Sequence, residues 1–138
     1  MNISKSSREN IVKEIKIAVD LMKDSKDPSE KLFYFSAIYG ALQRIYNIEY
    51  DEELVYAHFV TIVTHQNFFQ RLATIRQGDR AYLISEVQFD RLADLSQELG
   101  NKIKSNEDFT DTLKKMMVLC TSVQGNGYYL MKKGVLKI

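Results

Sequence analysis

The sequence predicts a mainly α fold, five helices in an orthogonal or bundle-like domain with a short β-hairpin at 121–138. Three observations carry that expectation. One proline, Pro28, and six glycines are all that punctuate 138 residues, so periodic segments run long and unbroken. Apolar residues recur at three- and four-residue spacing through most of the chain. Helix-start signals stand at the head of most of those segments. With 45% hydrophobic and 27% charged residues, the chain fits one domain, 1–138, with a full-sized core.

The first helix, about 7–25, opens at the capping box Ser6-Ser7-Arg8-Glu9 and sets Ile11, Val12, Ile15, Ala18, Val19 and Met22 on one face. The second, about 28–47, starts where Asp27 supplies a cap, Pro28 takes the first helical position and Glu30 follows. It buries Phe35, Ile38, Leu42 and Ile45, while Ala37, Gly40 and Ala41 leave room for another helix to come close. Asp51 caps the third, about 52–77, which ends near Gly78 in a left-handed turn. "AYLI", 81–84, reads as a strand, and the capping box Ser85-Glu86-Val87-Gln88 begins a fourth helix over about 85–104. That helix buries Phe89, Leu92, Ala93 and Leu99, with Gly100 as its stop signal. Asn106 is read as the cap of a fifth helix, about 107–120, with Phe109, Leu113, Met116, Met117 and Cys120 facing inward. Gly125-Asn126-Gly127 and Lys132-Lys133-Gly134 then punctuate short apolar runs, the pattern of a hairpin or two tight turns.

Both histidines, His58 and His65, sit in the third helix beside Ile62 and Phe69. Seven residues apart, they share a face but lie about 10 Å apart along the axis, too far to ligate one metal ion. The residues three before them are Val55 and Ile62, not the carboxylates that helical metal sites use. The pattern is that of core histidines packed among aromatics, with a pH-sensitive contact as the functional alternative. Tyr56, Val60, Val63 and Phe68 put apolar groups on further sides of this helix, leaving a polar strip at Glu53, Thr64, Asn67 and Arg71. Such a helix calls for cover nearly all round, at the centre of the bundle or against a second subunit.

Chemistry-bearing motifs are absent from the sequence. There is no G-x-S-x-G, no phosphate loop, no paired C-x-x-C and no dinucleotide fingerprint, so no enzyme activity, metal or cofactor is expected. The lone Cys120 lies in an apolar stripe and reads as an inert core thiol; it has no disulfide partner, which agrees with a reducing compartment. No apolar run approaches the length of a membrane span and the first ten residues lack a signal-peptide core, so the expected location is cytoplasmic.

The order helix, strand, two helices and glycine-turned ribbon over 79–138 resembles the winged-helix plan of DNA-binding domains, with "LKKMMVLCTSVQGNGYYLM" similar to a recognition helix leading into a wing. That resemblance implies a DNA-binding regulator contacting phosphates through Lys102, Lys104, Lys114, Lys115, Lys132 and Lys133. Glu107, Asp108 and Asp111 at the head of the presumed recognition helix would repel phosphates. The favoured reading is a non-enzymatic helical interaction or assembly module, with the DNA-binding regulator as first alternative and, as second, an enzyme whose carboxylates meet only in the fold and whose site is not readable from the sequence. Its expected partner is a second copy, a homodimer or larger symmetric oligomer, met through the second and third helices at Tyr34, Tyr39, Gly40, Tyr46, Tyr56 and Val60.

Overall fold

The computed structural model of the protein describes residues 1–76 and 86–124. Among these residues it is mainly α, with five helices and no strand: α1 Lys5–Asp24, α2 Pro28–Ile48, α3 Glu52–Arg76, α4 Glu86–Lys104 and α5 Thr110–Gln124. The expected strand at 81–84, the Ser85 cap and residues 125–138 of the expected hairpin lie outside the described residues. Residues 121–124, read from the sequence as the start of that hairpin, continue α5 instead.

Packing closes the helices into a ring. α1 lies between α2 and α4, α3 between α2 and α5, and α4 against α5. Their inward faces meet in one hydrophobic cluster that runs from Ile11 and Ile15 through Phe35 and Phe68 to Leu99 and Leu113. Phe68 of α3 and Phe89 of α4 meet edge to face across it, ring centres 5.1 Å apart.

The caps show how local chemistry fixes the ends. Asp27 accepts from the Ser29 amide at 3.0 Å with Pro28 in the first turn of α2, as its sequence predicts. Asp51 caps α3 by accepting from the amides of Glu53 and Leu54. α1 starts earlier than expected, because Ser4 is its cap and accepts from the Ser7 amide. Ser7, the second residue of the expected capping box, is buried and donates to Glu49, which also accepts the amide and hydroxyl of Ser4. Asn2 donates its amide to the second carboxylate oxygen of Asp51, and the Met1 amino group pairs with Glu53 at 2.9 Å. The head of α1 is thus fastened to the α2–α3 connection.

Two further boundaries correct the sequence reading. Gly100 is interior to α4, not its stop. A Cβ there would lie 2.9 Å from Cγ2 of the buried Ile15, so glycine is what lets α1 and α4 approach. Asn106 is not the cap of α5. It holds φ of 54° and ends α4: its amide donates to Ile103, and the Glu107 amide to Lys102, the paired bonds of a Schellman motif. Asp108 serves the start of α5 instead, accepting from the amide and hydroxyl of Thr110.

α3 departs most from expectation. It is a wall of the ring and not its central axis, packing on α2 and α5. Thr61 and Thr64 are fully buried, their hydroxyls donating back to the carbonyls of Ala57 and Val60 at 2.9 and 2.7 Å. A threonine that bonds its own helix in this way brings no unsatisfied group into the core. Thr64 therefore leaves the expected polar strip, and Tyr56, Phe59 and Val63 face outward in its place. Met117 of α5, expected inside, is also exposed, while Phe109, Leu113, Met116 and Cys120 are buried as expected.

Candidate functional site: two histidine–tyrosine pairs and an aromatic wall

Antiparallel packing of α2 on α3 sets Tyr46 against His58 and Tyr39 against His65, two pairs of the same residue types seven residues apart on each helix. The first pair is closed. His58 is buried, its Nδ1 lies 3.0 Å from the Tyr46 hydroxyl, and the rings meet at 5.3 Å. Burial holds the His58 pKa below its ordinary value. This pair is packing, with the ring nitrogen satisfied by a side chain.

The second pair is open. Tyr39 meets His65 edge to face at 5.5 Å and 85°, while Phe69, one turn along, stacks nearly parallel to the His65 ring at 6.3 Å. Neither the imidazole of His65 nor the Tyr39 hydroxyl forms a hydrogen bond among the described residues. Neither is sealed in, since the one buried polar side-chain atom without a partner among these residues is Nε of Arg8. Both groups line a cleft of about 360 Å³ between α2 and α3, with Leu32 and Leu72 lining it and Phe33 and Phe69 exposed at its edge. Burial again lowers the histidine pKa.

The candidate interface residues divide differently from the sequence reading. Val60 is 5% exposed and belongs to the core, so it is not available to a partner; its neighbour Phe59, which sequence reasoning passed over, is 60% exposed. Tyr39 and Tyr46 are half-buried against the histidines, and Tyr34 packs partly against the core. Tyr56 is exposed, and an added Cβ at Gly40 would meet no atom within 4 Å. Tyr56, Phe59 and Val63 form an exposed row along α3, while the exposed Phe33 and Phe69 belong to the edge of the cleft.

Elsewhere, Lys115 is held by Glu98 and Asp111 at 3.3 and 3.2 Å, and hydrogen bonds to these acids raise its pKa. Lys102 is half-buried, Lys104 and Lys114 are exposed, and Lys132 and Lys133 lie outside the described residues. Cys120 is buried, donating to the Thr64 hydroxyl, and burial pushes its thiol pKa up, away from nucleophilic chemistry. No group of three or more metal-ligating side chains gathers among the described residues, and none of their helices is long and apolar enough to cross a membrane. No protein-family model matches the chain, and no curated protein or solved structure is found to be similar to it.

Proposed function

We propose that the chain is a helical assembly module that pairs with a second copy of itself through the outer wall of α2 and α3. The observation that carries this reading is the row of exposed apolar side chains on α3, Tyr56, Phe59 and Val63, on a helix whose Thr61 and Thr64 are turned inward. Large apolar side chains exposed a turn apart along one helix face are the kind of surface that contact sites use. Aromatic residues are also the ones enriched at interface cores. The area suffices: a wall two helices wide and about 35 Å long offers on the order of 800 Å² per partner, the size of a stable protein interface. A twofold pairing needs only one self-complementary patch, which a wall of like residues supplies.

Sedimentation equilibrium at micromolar concentration tests this. The expected species has twice the 16.0 kDa mass of the chain. Phe59→Asp should return it to 16.0 kDa with its helical content intact, because Phe59 points away from the core. A wild-type chain of 16.0 kDa would end the assembly reading, and a Phe59→Asp variant that stays paired would move the interface off this face.

A further inference from the structure

We propose that the cleft between α2 and α3 bounded by Phe33, Tyr39, His65 and Phe69 binds a small, neutral, planar aromatic molecule that carries a hydroxyl or ring N–H donor. The inference does not rest on the assembly reading, because one chain forms the whole cleft. Its basis is the contrast with the neighbouring pair. At Tyr46 and His58 the hydroxyl and imidazole satisfy each other at 3.0 Å. One step along the same two helices, Tyr39 and His65 meet edge to face, and neither hydroxyl nor imidazole is hydrogen-bonded among the described residues. Two polar groups are thereby left available in a cleft of about 360 Å³ whose other lining is the apolar Leu32, Phe33, Phe69 and Leu72 and two serines, Ser29 and Ser36, the latter already donating to the Phe33 carbonyl. An apolar cavity of some hundreds of Å³ with a few convergent polar groups is the usual form of a small-molecule site.

The chemistry of the lining selects the ligand. Exposed rings at Phe33 and Phe69 offer flat faces and edges to a planar guest. The imidazole of His65 is kept neutral by burial, so at neutral pH one of its nitrogens accepts and the other donates. Tyr39 supplies a hydroxyl of either sense. Among the described residues no charged side chain lines the cleft, which disfavours an ionised ligand, since none of them would compensate its desolvation.

The probe is 2-naphthol, titrated into the full chain by its fluorescence, with naphthalene as the isostere lacking the hydroxyl. The expected result is saturable binding of one 2-naphthol per chain. Naphthalene should bind about tenfold more weakly, and Tyr39→Phe and His65→Leu should each weaken 2-naphthol by about the same factor. As a readout independent of any variant's folding, the ring nitrogen resonances of His65 in the wild-type chain should shift on adding 2-naphthol while those of His58 stay in place. Non-saturable uptake, equal affinity for naphthalene, or unmoved His65 resonances would overturn the proposal.

Discussion

The two histidine–tyrosine pairs of α2 and α3 use the same residues at the same spacing, yet one is a finished piece of core and the other an open edge. Tyr46 bonds His58; Tyr39 touches both histidine rings, at 6.2 and 5.5 Å, and bonds neither. What differs is the neighbour. Phe69 stacks on His65 within 11° of parallel, and Tyr39 then meets that ring nearly at right angles. At His58 the adjacent Phe59 is only tilted and projects outward, and the ring's Nδ1 lies 3.0 Å from the Tyr46 hydroxyl. Residue type and spacing therefore do not determine whether a buried imidazole is structural; the packing around the ring does.

That contrast can be broken most sharply by truncation. His58→Ala should lower the unfolding free energy by about 2–3 kcal/mol, from the cavity and the stranded Tyr46 hydroxyl together. His65→Ala, at a half-open cleft with no bond to lose, should cost under about 1 kcal/mol. Urea unfolding of the two variants measures the difference, and equal costs would show that the pairs are energetically alike.

A smaller effect separates the tyrosines. Tyr46→Phe leaves the His58 nitrogen without its partner and should cost about 1 kcal/mol, whereas Tyr39→Phe should stay within about 0.5 kcal/mol of wild type. Should Tyr39→Phe prove the more damaging, its hydroxyl has a structural partner after all.

The finest test is acid. Burial lowers both histidine pKa values in the folded chain from the ordinary 6.5. Above 6.5 both states hold neutral imidazoles and the full stability is present; as pH falls through 6.5, the unfolded chain takes up protons that the folded chain resists. The urea midpoint should hold steady above pH 7 and decline below 6.5, and the double replacement of both histidines by glutamine should flatten the decline within that window. An unchanged slope in the double variant would assign the acid sensitivity to the carboxylates.

Much of this architecture is legible in the residues themselves. Asp27-Pro28 and Asp51 mark helix starts because a carboxylate beside free amides needs no tertiary partner to act. The apolar spacing of α1 and α4 names their buried faces, with Ile11, Ile15, Leu92 and Leu99 all inside. The errors fall where a local signal has two uses. Glycine ends helices and also lets them touch, and Gly100 does the second; asparagine caps a helix start and also takes the left-handed turn at a helix end, and Asn106 does that. In the candidate site, the sequence brought His58 and His65 to notice and placed them on one face. It offered no sign that Tyr39 and Tyr46 would stand opposite them, because that pairing depends on how α2 folds back on α3.

By itself the sequence determined the five helices of the described residues and roughly where four of them begin, since helix periodicity and caps are settled by bonds within a few residues of one another. The tertiary structure decided which side of α3 is inside. That helix is apolar on nearly every side, so no local preference orients it, and the choice fell to its neighbours. α2 and α5 take up Leu54, Val60 and Phe68, Thr61 and Thr64 go in because their hydroxyls can bond their own backbone, and Phe59 and Val63 are left facing out. Burial is a property of the assembled ring, and a helix with no polar face learns its inside only from what packs against it.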